Sequence, residues 1–89
     1  MALTKETVVD KIEVMEMGQV QVRTATRVKE DGAVLSSSFH RHVVEPSTKA
    51  SGSWADTDIS GEDARVQAVA TATWTSAVKT AYQEMIDAQ

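Results

Sequence analysis

The sequence predicts an α+β domain: a three-stranded antiparallel β-meander followed by two C-terminal helices packed on one face of the sheet. Three observations carry this reading. The first half of the chain alternates apolar and polar residues, its alternating runs are separated by glycine turns, and the second half changes to helical spacing behind capping residues. The expected strands cover about 7–15, 19–29 and 33–45, and the expected helices about 61–73 and 76–87.

The first strand is read from Val8, Ile12 and Val14, which share one face with Asp10 as the exception. The second is the row Val20, Val22, Thr24, Thr26 and Val28. Between them, Glu16-Met17-Gly18 suits a three-residue hairpin loop with glycine last, in a left-handed conformation that β-branched residues resist. That loop sets Val14 opposite Val20 and Ile12 opposite Val22, so the two apolar rows coincide. A two-residue Met17-Gly18 loop pairs Val14 with Gln21 and loses the match.

Asp31-Gly32 is a two-residue turn signal, since both central positions take positive φ. Closure there sets Val28 opposite Leu35, Thr24 opposite Phe39 and Val20 opposite Val43, with Arg41 the odd member of the core face. The other face then carries Gln21, Arg23, Arg27, His40 and His42, joined by Lys11 and Glu13. A three-residue loop over Glu30-Asp31-Gly32 is the alternative. It slips the third strand by one residue and places the histidines with Val20 and Val22.

Pro46 ends the third strand because it cannot donate to a ladder. Residues 47–59, rich in Ser, Thr, Gly and Asp, read as an exposed linker loop. Trp54 within it either pins the loop to the domain or docks into a partner, which makes it, with Arg41, an interface candidate. Ser60-Gly61-Glu62-Asp63 matches a capping box ahead of Val66, Val69, Ala70 and Thr73. Thr75 is placed to cap a second helix bearing Val78, Ala81, Tyr82, Met85 and Ile86. Trp74, at the junction, is expected to wedge between helices and sheet.

The chain has 89 residues, enough for one domain (1–89), which should bury roughly 60–65% of the surface its unfolded state exposes. The chain has four aromatic residues and no cysteine, so no disulfide or thiolate metal site reinforces the core. Small unstapled cores often rely on oligomerisation, and a homo-oligomer is expected. A net charge of −4 without a basic run argues against nucleic-acid binding. No apolar run approaches the ~20 residues of a membrane helix, so no membrane partner is expected.

Among candidate chemistries, His40-x-His42 with Glu13 from across the sheet has the outline of a metal site, but Arg23 beside the pair would repel a cation. No metal and no cofactor is therefore assigned. Anion binding is the sharper reading: Arg23, Arg27, His40, His42 and Gln21 gather a guanidinium fork, imidazole donors and an amide on one face. Its ligand class is a phosphorylated small molecule or signalling nucleotide. No catalytic residue is assigned, because no carboxylate is evidently placed to orient an imidazole, no glycine elbow presents a serine, and no phosphate loop or dinucleotide fingerprint is present. The chain reads as a non-enzyme.

Several blocks resemble small uncharacterised proteins of tailed bacteriophages: Val9-Asp10-Lys11-Ile12-Glu13-Val14, Gln19 through Thr26, Ser38-Phe39-His40-Arg41-His42-Val43 and Ser60-Gly61-Glu62-Asp63-Ala64. The Arg-Thr-Ala-Thr and Phe-His-Arg-His segments are the specific parts. In those proteins the linker is shorter, with Pro followed by Gly-Asp-Asp, whereas Pro46 is followed by Ser47-Thr48-Lys49. The resemblance implies a phage origin and brings no assigned activity. Combined with the small core, it leads to the expectation of a self-assembling minor virion or tail-associated protein. Such a protein would meet copies of itself and other virion proteins, in the host cytoplasm or incorporated into the virion.

Overall fold

A computed structural model describes residues 2–89. The chain runs β1 (Leu3–Val14), β2 (Val20–Glu30), β3 (Ala33–Val44), β4 (Ser47–Ala50), β5 (Ser53–Asp56), α1 (Ala64–Thr73) and α2 (Ser76–Asp87). The first three strands form an antiparallel sheet in the order β1-β2-β3, and β4-β5 form a separate two-stranded hairpin. The α+β class and the meander agree with the sequence. The segment expected to be an irregular linker is largely this second hairpin, turning through Ser51 at φ 52° and Gly52 at φ 79°. β1 begins four residues earlier than expected.

The first hairpin closes as its turn chemistry requires. Met15 N–H donates to the Gln19 carbonyl at 2.8 Å, enclosing Glu16-Met17-Gly18, and Gly18 sits at φ 90°. Val14 faces Val20 and Ile12 faces Val22. Beyond Ile12 a β-bulge at Asp10 inserts one residue, so that Val9 pairs with Thr24 and Val8 with Ala25. Val9, not Val8, therefore joins the core side.

The β2–β3 hairpin turns on Asp31-Gly32, as expected, at φ 50° and 86°, with Glu30 opposite Ala33 and Lys29 opposite Val34. The register then slips: Val28 pairs with Ser36, leaving Leu35 as the extra residue of a second bulge. One added residue moves every later side chain of β3 to the other face. Val44, 6% exposed, replaces Val43, 53% exposed, in the core. Phe39 and Leu35, expected inside, are 51% and 58% exposed. His42 now lies across from Val22 and His40 across from Thr24. That is the face the three-residue loop would have chosen, although the loop itself has two residues.

The core consists of Val20, Val22, Val44, Val66, Ala70 and Trp74, with Val9, Ile12, Ile59, Val69 and Val78 packed around it. All of it lies at the Gly18 end of the sheet. Trp74 donates its indole N–H to the Gly18 carbonyl at 2.7 Å, tying the α1–α2 junction to the first turn. α1 starts later than the capping box suggests, because Asp58 accepts from Ser60 N–H and Asp63 accepts from Arg65 N–H as the real cap. α2 is capped by Thr75 as expected.

Only α1 lies on the large sheet. Val78 of α2 reaches the core, but the rest of α2 packs on the β4-β5 hairpin. Trp54 meets Tyr82 edge-on at 6.1 Å and donates to Asp87, Lys49 pairs with Asp87 at 2.8 Å, and Lys79 pairs with Asp56 at 3.0 Å. Trp54 thus pins its own segment to the domain.

The rest of the large sheet projects past the helices. The molecule measures 56 × 23 × 21 Å with a radius of gyration of 16.8 Å, against about 12 Å for a compact chain of this length. A long ribbon on a small anchored base is the shape that positions every candidate site.

Candidate functional site

The sheet face turned away from α1 carries most of the charge. Arg23 grips Asp10 with two hydrogen bonds, Nε to Oδ1 at 3.0 Å and Nη2 to Oδ2 at 2.8 Å. The bulge at Asp10 makes this possible by turning its carboxylate to the open face, beside Lys11. The guanidinium hydrogen bond holds the Asp10 carboxyl below its usual range, and Asp10 in turn raises Arg23. The same guanidinium stacks 4.5 Å over the Phe39 ring, a cation–π contact that shields one side of an exposed aromatic.

Farther along the ribbon, Glu6 pairs with Lys29 at 2.6 Å and lies 3.9 Å from Arg27, and the Lys29 hydrogen bond lowers its pKa. Toward the base, Lys11 pairs with Glu13 at 3.3 Å. Around that pair is a shallow concavity of about 170 Å³ lined by Lys11, Glu13, Gln21, Val22, Arg23, Arg41, His42 and Val43. Arg41 is exposed and makes no ion pair among the described residues.

The histidines lie on the opposite face. The His40 and His42 rings stack at 6.2 Å, and His42 Nε2 is 2.8 Å from Glu62 Oε1 in the turn before α1. The expected anion patch is therefore divided. Gln21, Arg23 and Arg27 share the open face, while His40 and His42 belong to the helix side, and Arg27 is drawn to Glu6. The bulge at Leu35 causes the division. It also breaks up the metal outline, since Glu13 pairs with Gln21 on the open face, away from both imidazoles. Among the described residues no group of three His, Cys, Asp or Glu side chains could hold a metal ion. Among the described residues no helix is long and apolar enough to cross a membrane.

Sequence reasoning missed two features. Glu62, expected in a capping box, meets His42 instead. The two outer strands also differ sharply. On β1, Lys5, Glu6, Asp10, Lys11 and Glu13 lie along the edge, a bulge interrupts it, and the Arg65 guanidinium of α1 bonds the Val9 carbonyl. On β3, residues 33–41 are all exposed, and Ala33 through His40 include no Asp, Glu, Lys or Arg. Uncharged stretches such as Ser36-Ser37-Ser38 signal this asymmetry in the sequence, but only a topology with β3 at an edge gives it meaning.

Comparison with protein-family models, curated proteins and solved structures finds no match to this chain.

Proposed function

We propose that the chain is a non-enzymatic bacteriophage protein that assembles through its own sheet, as a minor virion or tail-associated component. The observation that supports this reading most is the uncovered ribbon: a long sheet projects beyond its core, with Val34, Leu35, Phe39 and Val43 all more than half exposed along β3. Large exposed apolar side chains grouped on one strand are a common mark of protein–protein contact. The phage-like segments Arg23-Thr24-Ala25-Thr26 and Phe39-His40-Arg41-His42 fall on β2 and β3 of that ribbon, and they supply the phage part of the reading. Light scattering behind size-exclusion chromatography tests the assembly. A mass of two or more chains is expected, and a monomer at several hundred micromolar refutes it. Mass spectrometry of purified virions tests the location.

The free Arg41 supports a second reading, in which the concavity formed with Lys11 and Gln21 takes the phosphate of a small molecule or nucleotide. A thermal-shift screen of nucleotides should then show stabilisation that Arg41→Ala abolishes. No shift with any phosphorylated compound ends this reading.

A further inference from the structure

We infer that β3 is the assembly edge and that it pairs antiparallel with β3 of a second copy, making one six-stranded sheet about a two-fold axis near Phe39. The inference rests on the self-assembly reading and names its surface. An edge strand presents a row of unpaired N–H and C=O groups, and proteins that must stay single block it with charges, bulges or covering elements. β1 has all three, in its five charged residues, the Asp10 bulge and the cover of Arg65 on the Val9 carbonyl. Most of β3 has none: its bulge lies at Leu35 near the tip, and from Ser36 to His40 the edge is free of fixed charge.

With only one open edge, a head-to-tail contact of β3 on a neighbour's β1 is disfavoured, and assembly closes as a dimer using the same edge twice. The antiparallel arrangement also suits the placement of the helices. α1 covers the sheet only at the Val20, Val22 and Val44 end. Pairing two copies antiparallel puts their helical bases at opposite ends, whereas parallel pairing would crowd them together.

The two-fold axis must stand perpendicular to the sheet, so residues of the open face pair with residues of the open face. Centred on Arg41, it would oppose two guanidinium groups. Centred on Phe39, it sets each Phe39 ring against its own copy and each Arg41 against Ser37, with no like charges opposed. About ten residues on each side join the contact, fewer than the 20–30 of a standard interface, so the dimer should form at micromolar concentration rather than below it.

Sedimentation equilibrium across a concentration series tests this with substitutions at Ser37, which is exposed. Ser37→Lys opposes Arg41 twice per dimer and should weaken association about tenfold, and Ser37→Glu should tighten it by a similar factor. The double variant Ser37→Lys/Arg41→Glu should regain the dimer. Within one chain these positions stand ~13 Å apart along the strand, and their own cross-strand partners are Arg27 and Arg23, so recovery of association without a change in the monomer's melting temperature reports on a second copy. Thr4→Lys, on β1, should change nothing. If the protein dimerises but all the Ser37 variants associate equally, or Thr4→Lys is the disruptive change, the β3 edge is wrong while self-assembly stands. If the wild type stays monomeric at several hundred micromolar, both fall. Equal melting temperatures for the variants at dilute, monomeric concentration would show that the fold is intact.

Discussion

Replacing Gly18 and Gly32 by alanine separates backbone strain from packing, because both residues sit at nearly the same φ in different surroundings. Gly32, at φ 86°, has open space where a Cβ would go, with nothing within 4 Å. Gly18, at φ 90°, would place a Cβ 2.5 Å from Val78 Cγ1 and 3.0 Å from Pro46 Cγ. The left-handed conformation costs alanine about 1–2 kcal/mol. Loss of glycine's freedom in the unfolded chain returns about 0.4–1 kcal/mol. Gly32→Ala should therefore destabilise by about 1 kcal/mol or less. At Gly18 the clash adds about 1–3 kcal/mol, as overpacking does elsewhere. Val78 cannot swing aside, because a β-branched side chain on a helix has one strongly preferred rotamer. Pro46 is a rigid ring, and the Gly18 carbonyl is held by Trp74. The sum is about 1–4 kcal/mol, or roughly 5–30 °C in melting temperature for a domain of this size. Urea titration followed by circular dichroism, at a dilution where any oligomer dissociates, measures both variants. If they differ by less than about 0.5 kcal/mol, the close approach of the first turn to α2 does not exist in solution.

Three further outcomes are expected. Trp74→Phe keeps most of the apolar contact but leaves the buried Gly18 carbonyl without its donor, so urea titration should show a loss of about 1–3 kcal/mol. Burial, helped by the Glu45 carboxylate beside it, pushes the Tyr82 phenol up to about 12 from its ordinary 10. The folded chain then keeps a proton that the unfolded chain releases, so this contribution is complete below pH ~10 and disappears as pH rises toward ~12. Tyr82→Phe should flatten that alkaline decline in thermal melts. Asp10 has the opposite sign: Arg23 depresses its pKa, so its contribution is present above the ordinary carboxylate range and is lost as pH falls through the folded value. Asp10→Asn should lower the melting temperature at neutral pH and reduce its acid dependence, and an unchanged acid limb would count against the Asp10–Arg23 pair.

Local chemistry was enough to place both main turns. The need for positive φ at Gly18 and at Asp31-Gly32 is a property of those residues, and the paired rows Val14–Val20 and Ile12–Val22 follow from where the loop closes. The Thr75 cap was legible for the same reason, since it satisfies a backbone group within its own turn, whereas the wedge at Trp74 was legible from its place at the helix junction and its partner, the Gly18 carbonyl, was not. The candidate site was legible only as far as β2, whose alternation puts Gln21, Arg23 and Arg27 together whatever their neighbours do. The break at Asp10 was visible as a carboxylate in an apolar row, although its meaning as a bulge depends on Arg23 across the sheet.

The sequence by itself determined the class of the domain, the order of its main elements, the positions of the two turns of the large sheet and the division of β2 into an apolar and a basic face. Tertiary structure decided the face of β3. A bulge at Leu35 costs little locally and has no sharp sequence signal. It is favoured by what happens some 30 Å away along the strand, where Val44 enters the core ahead of the buried Pro46 and Ser47, and His42 meets Glu62. That distant packing moved both histidines to the helix side, brought Phe39 under Arg23 on the open face, and left one uncharged edge uncovered.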